Sequence, residues 1–221
     1  MTALEWKVAV GSDEVSAVYE GPTEGSTVFV CAHGAGGSIS DRSTLSSANA
    51  MRKHGMGVVR FNFIYKEKGR GGPDKMPKLM DTFRAVVAQA RAELSPGQLI
   101  IGGRSMGGRA ASMLAADGFD ADGLLLLAYP LHPPGQPEKL RVEHLAKITM
   151  PVIQFSGTRD PFCTPALMEE ALTAVKAPWE MHWVETADHS FHVLKSSGKT
   201  DAQVMDDIGA SAAAWSSASG R

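Results

Sequence analysis

Gly103-Arg104-Ser105-Met106-Gly107 sets a serine between two glycines, directly after the apolar run Leu99-Ile100-Ile101 and before the helix-prone stretch Arg109 to Ala116. A serine at a strand–turn–helix corner, flanked this way, has the pattern of a nucleophile elbow. The glycines have a physical reason. Lifting the hydroxyl clear of a sheet strains the backbone at Ser105 and crowds the residues two before and two after it, where a Cβ has no room. The helix that follows starts beneath the serine and aims backbone N–H groups at the reaction centre. In a glycine-rich chain the same pattern also arises as an ordinary turn, so the partners decide.

A serine hydroxyl is a weak nucleophile until a base takes its proton, and the base needs a group to orient it. Two segments offer such side chains, each just past a predicted strand: Asp160 in Ser156-Gly-Thr-Arg-Asp-Pro-Phe162 and His189 in Ala187-Asp-His-Ser-Phe191. An imidazole with an ordinary pKa near ~6.5 suits the base, and a carboxylate on its far nitrogen fixes the tautomer. The developing oxyanion would be held by the backbone N–H of Met106 and one from the turn His33-Gly34-Ala35-Gly36-Gly37, Ala35 first and Gly36 as the alternative.

Rival assignments exist. Asp188 abuts His189, but adjacent side chains rarely face each other in the geometry needed, and a surface carboxylate is the plainer reading. His192 could serve as base if a turn continues, against a partly buried histidine at a helix start. His33 reads as a turn histidine, while His54, His132, His144 and His182 lack metal-site spacing and read as surface or packing residues. Cys31 lies in a strand and should be buried. Cys163 is either near the site or a small packed residue. Arg104 either attracts an anionic substrate or forms a structural salt bridge.

The elements that must position these groups follow from apolar patterning. Trp6 to Val10 and Val15 to Glu20 alternate and predict an antiparallel pair at a sheet edge, before a turn cluster at Gly21 to Gly25. Largely apolar runs at Thr27–Ala32, Met56–Phe63, Leu99–Ile101, Ala121–Tyr129 and Pro151–Ser156 predict strands, mostly of the kind covered on both faces in a parallel sheet. Trp179–Glu185 is expected as the last strand. Helical spacing is expected over Leu45–His54, Met76–Leu94, the stretch after Ser105, a short piece near Val142–Ala146, Ala166–Val175 and about Thr200–Trp215, with a frayed tail from Ser216. Ser38–Ser43, Lys66–Lys75 and Pro130–Pro137 read as loops. Strand carboxyl ends share one edge of a parallel sheet, so Ser105, Asp160 and His189 can meet there.

Bulk properties bound the rest. The 221 residues, with no composition break, suit one domain over residues 1–221. A net charge of -2 gives no footprint for nucleic acid, and the most apolar run, Leu124 to Tyr129, falls far short of the ~20 residues of a membrane span. Two cysteines and no signal-peptide pattern at the N-terminus point to the cytoplasm. No cofactor or metal is implied, and the oligomeric expectation is a monomer or homodimer.

With these pieces placed, the chain from Thr27 to the C-terminal helix resembles the α/β-hydrolase superfamily. More narrowly, it resembles the small, lidless hydrolases related to dienelactone hydrolase. Within those it is similar to a group containing testis-expressed hydrolase-like proteins and the hydrolase-like domain of a non-specific-lethal chromatin complex subunit. The carrying motifs are Gly-Arg-Ser105-Met-Gly-Gly, Ser-Gly-Thr-Arg-Asp160-Pro-Phe and Ala-Asp-His189-Ser-Phe, in the family's order of nucleophile, acid and base. Dienelactone hydrolase itself uses a cysteine where this chain has Ser105. The resemblance implies an α/β-hydrolase fold: a mostly parallel sheet with helices on both faces, antiparallel N-terminal edge strands and no cap domain. It implies a serine hydrolase acting on a small-molecule ester or thioester through an acyl-enzyme. The alternatives are a peptidase or acyltransferase using the same three side chains, or a non-catalytic binding module on the same scaffold.

Overall fold

Strand β3 (Thr27–Ala32) is buried along nearly its whole length, and its apolar residues divide alternately between two separate cores. In the computed structural model, which describes residues 2–22 and 25–219, it lies near the centre of an eight-stranded sheet of order β1-β2-β4-β3-β5-β6-β7-β8. The remaining strands are β1 (Thr2–Val10), β2 (Asp13–Gly21), β4 (Gly57–Phe61), β5 (Gln98–Arg104), β6 (Gly123–Leu127), β7 (Val152–Gly157) and β8 (Trp179–Val184). β1 and β2 pair antiparallel at one edge, β2 joins β4 antiparallel, and every pairing from β4 to β8 is parallel. The edge hairpin is longer than the alternating residues predicted, because its ladder runs on to Thr2↔Gly21. Of the turn cluster that follows, Thr23 and Glu24 lie outside the described residues, as do Gly220 and Arg221 of the tail.

The period-two alternation of the strands sorts their side chains onto two helical layers. Val30, Val59, Ile101, Leu124 and Leu126 pack with α3 (Met76–Leu94) and α4 (Met106–Ala116), near α2 (Ile64–Glu67) and α5 (Pro165–Leu172). Phe29, Cys31, Ile100, Leu125 and Phe155 pack with α1 (Arg42–Lys53) and α6 (Asp201–Ser219). No separate cap interrupts the alternation; a proline-rich segment with one three-residue 3₁₀ turn, Leu145–Lys147, links β6 to β7.

Several boundaries differ from the sequence expectation. β6 is Gly123–Leu127 within the expected Ala121–Tyr129, and α5 ends at Leu172 and not Val175. The short helix expected near Val142–Ala146 is the 3₁₀ turn Leu145–Lys147, and α2 takes Lys66 and Glu67 from the expected Lys66–Lys75 loop. α1 starts at Arg42 because Asp41 caps it, accepting hydrogen bonds from the backbone N–H groups of Ser43 (2.8 Å) and Thr44 (3.1 Å). Burial opposes the charge on Asp41, but these bonds and the hydroxyls of Ser43 and Thr44 hold its carboxyl well below the usual carboxylate range. The strand expected to reach Phe63 ends at Phe61 and leads into α2. The tail expected to fray at Ser216 continues as helix to Ser219, with Trp215 and Ser216 buried against the sheet layer.

Candidate active site

Ser105 sits where β5 gives way to α4, with φ 47° and ψ −115°, a conformation that a non-glycine residue holds only under constraint. Its N–H donates to the Leu127 carbonyl at 2.9 Å, which ties the corner to β6. Gly103 lies opposite Ala32 in the ladder at φ 144°, and a Cβ there would overlap the Ala32 carbonyl oxygen. A Cβ on Gly107 would come to 2.5 Å from that same oxygen. Both elbow glycines are therefore required by close approach, as the spacing predicted.

Asp160 follows the end of β7 with its side chain fully buried. One carboxylate oxygen accepts the Phe162 N–H at 2.8 Å; the other lies 2.7 Å from His189 Nδ1. His189 Nε2 lies 3.0 Å from Ser105 Oγ, and the Phe162 ring meets the imidazole edge-on at 4.6 Å. Three side chains from three strand ends thus form one line of hydrogen bonds: serine, imidazole, carboxylate. The His189 loop is fixed by its neighbours. Gly157 gives it room, since a Cβ there would overlap the Ala187 carbonyl, and Arg159 N–H donates to that carbonyl at 2.9 Å. Asp188 accepts the N–H groups of Ser190 (2.8 Å) and His192 (3.0 Å), so it shapes the loop and does not face the imidazole of His189.

The turn from His33 to Gly37 packs beside the serine. His33 is buried and neutral in role: Nδ1 donates to the Gly34 carbonyl at 2.7 Å and Nε2 accepts the Phe63 N–H at 3.2 Å, while burial lowers its pKa. Tyr65, on α2, donates its hydroxyl to the Ala35 carbonyl at 2.7 Å and pins the turn from outside. Among the described residues, no acceptor is found for the backbone N–H of either Met106 or Ala35, and both residues line the same cleft as Ser105. That cleft has a volume of ≈ 370 Å³, small-molecule size. A wider surface hollow of ≈ 580 Å³ between α1 and α6 contains none of these groups.

Several assignments need correction. His192 is neither at a helix start nor partly buried: it is exposed and pairs with Asp201 at 2.9 Å, which raises its pKa. Arg104 does not line the cleft of Ser105 and makes no ion pair among the described residues. Residues 100, 102 and 104 share one side of β5, so its buried guanidinium points toward the α1/α6 layer, donates to the His189 carbonyl at 3.0 Å and lies over the Phe191 ring at 5.2 Å. Cys31 is buried as expected, and of the two readings of Cys163 the packed one holds: burial pushes its thiol up to about 12. His132, read as ordinary, lines the cleft with Arg109, Arg141 and Phe162. Arg109 was legible in principle: it is four residues after Ser105 and so shares its face of α4. No metal-sized group of three or more His, Cys, Asp or Glu side chains occurs among the described residues, and no helix is long and apolar enough to cross a membrane.

His144 lies behind the cleft, 2.8 Å from Ser112 Oγ and 3.4 Å from the Tyr129 hydroxyl. Burial, with help from the charge of Arg109, pushes its pKa down to about 4. In the unfolded chain it titrates near ~6.5, so between these values the unfolded state binds the extra proton and stability falls as the pH drops. The melting temperature should therefore fall between pH 7 and pH 5, and His144→Gln should fall less over the same window. Parallel curves for the two proteins would show that His144 does not contribute.

A mostly parallel sheet with a serine at a strained strand–helix corner, and histidine and aspartate from later strand ends, is the architecture of the α/β-hydrolase fold. A family profile described as "Alpha/beta hydrolase domain" matches residues 25–217, and the chain belongs to that family. Solved structures give the same fold. An α-β serine hydrolase homologue from Coxiella burnetii superposes with a TM-score of 0.77 at 20% identity, covering 96% of this chain and 97% of that one. A serine hydrolase without a lid from Xanthomonas campestris gives 0.70 at 21% identity, over 94% and 93%. A dienelactone hydrolase from Anabaena variabilis gives 0.74 at 17% identity, over 96% of each chain. Like the Xanthomonas structure, this fold carries no separate lid among the described residues.

Proposed function

We propose that this protein is a serine hydrolase that cleaves a small carboxylic ester or thioester through an acyl-enzyme. The observation that carries the reading is the unbroken hydrogen-bonded line from Ser105 Oγ through His189 to Asp160, at 3.0 and 2.7 Å. His189 Nε2 takes the hydroxyl proton as Oγ attacks the carbonyl carbon, and Asp160 stabilises the imidazolium that forms. The N–H groups of Met106 and Ala35 receive the oxyanion, each such donor contributing about 3–4 kcal/mol to the transition state. His189 then passes its proton to the leaving oxygen or sulfur, leaving acyl-Ser105. Water, deprotonated by His189 in turn, releases the acid. The lidless cleft supports a small substrate, and the two free, buried cysteines support a cytoplasmic location.

A fluorophosphonate probe tests the reading directly. It should label the protein at neutral pH, with the modification mapping to Ser105. An unlabelled Ser105 in folded protein would overturn catalysis and favour a non-catalytic binding module.

A further inference from the structure

Two arginines line the cleft beside Ser105 with no anion to answer them. Arg109 stands one turn along α4 from the serine, and Arg141 enters from the segment between β6 and β7. Most arginines elsewhere in the fold are paired: Arg52 and Arg60 meet Glu20, Arg84 meets Asp81, and Arg91 meets Asp120. Among the described residues neither cleft guanidinium has an ion-pair or hydrogen-bond partner, and Nε of Arg109 is buried without an acceptor. The carboxylate lining the same cleft, Asp74, is already engaged: one oxygen takes Arg70 at 2.6 Å and the other accepts the Tyr65 N–H at 2.9 Å. Arg141 is partly buried and close enough to Arg109 that the second charge disfavours the first. Like charges held together, with no carboxylate of the fold to answer them, are a natural place for an anion from outside.

We propose that the ester cleaved at Ser105 carries a carboxylate, held between Arg109 and Arg141. This deepens the hydrolase reading and rests on it. The guanidinium fork matches a carboxylate with two parallel hydrogen bonds, which an ammonium does not. Arg109, rooted one turn from the nucleophile, would fix the distance between the charge and the scissile carbonyl.

Two matched ester pairs test it, one with the charge on the acyl side and one on the leaving side: mono-4-nitrophenyl glutarate against 4-nitrophenyl pentanoate, and 4-acetoxybenzoate against its methyl ester. The wild-type protein should favour the anionic member of at least one pair by about tenfold or more in kcat/KM, a preference that shrinks as salt is raised. Arg109→Gln and Arg141→Gln should each lower that ratio, and Arg141→Lys should restore part of it. Equilibrium binding to Ser105→Ala protein gives the same comparison without turnover. If the wild type hydrolyses no ester while Ser105→Ala still binds the anionic member more tightly, the hydrolase reading fails and the anion site stands. Equal binding of both members of each pair, or a ratio unmoved by either glutamine variant, overturns the anion site whether or not esters are cleaved.

Discussion

Ser105→Ala should lower kcat on 4-nitrophenyl acetate by on the order of 10⁶-fold while leaving the fold intact. The magnitude follows from how the three side chains depend on one another. Without Oγ, His189 has no nucleophile to activate, and what survives is the ~10³–10⁴-fold over water that oxyanion donors and binding supply. The fold should not notice. The hydroxyl's hydrogen-bond partner is His189 Nε2, so its loss orphans no other group, and alanine keeps the Cβ and the φ of 47° unchanged. Far-ultraviolet circular dichroism and the urea midpoint check the fold, and stopped assays at high enzyme concentration check the rate. Turnover retained within tenfold would place ester cleavage at some other residue.

How far the chain announced this arrangement differs from residue to residue. Ser105 and Asp160 were legible because each follows a uniformly apolar, buried strand. His189 follows β8, a half-buried edge strand, and parallel pairing brings all three strand ends together whatever their separation in sequence. The elbow glycines were legible because the spacing encodes a steric need, which the Ala32 carbonyl now explains. Helix α3 was predicted at its observed limits, Met76 and Leu94, since its apolar residues repeat at helical spacing along its whole length.

What escaped depends on contacts between distant segments. The start of α1 was misplaced although Asp41 and Thr44 carry a capping signal, because serines on either side read equally well as loop. α2 is a single helical turn whose worth lies in placing Tyr65 against the Ala35 carbonyl, 30 residues away in sequence. Arg104 shows a different failure. Its neighbour is the nucleophile, yet the strand's alternation turns it to the opposite face, where it braces the loop carrying His189. The sequence left substrate contact and a salt bridge as alternatives. The side chain makes neither an ion pair nor a contact with the Ser105 cleft, because alternation along the strand sets residue 104 on the opposite face. Arg109 is the mirror case, four residues on and in the cleft, because α4 repeats its face every turn.

Asp160→Asn should lower kcat by about 10⁴-fold through the tautomer of His189, with a much smaller effect on stability. The amide is nearly the same shape as the carboxylate, but it is no longer an acceptor at both ends. In the native protein one oxygen accepts the Phe162 N–H at 2.8 Å and the other faces His189 Nδ1 at 2.7 Å. An asparagine that keeps its oxygen toward Phe162 turns its NH₂ toward His189. The imidazole must then accept at Nδ1, which puts its proton on Nε2, aimed at Ser105 Oγ and unable to take the hydroxyl proton. The opposite flip would preserve the working tautomer but set NH₂ against the Phe162 N–H, two donors face to face in a buried pocket. The loop at Phe162 therefore selects the inactive orientation. Fluorophosphonate labelling of Ser105 should slow in parallel with kcat, while KM and the melting temperature shift little. Activity within tenfold of wild type would mean that the buried carboxylate does not act through Nδ1 of His189, and the proton path proposed for Ser105 would have to be redrawn.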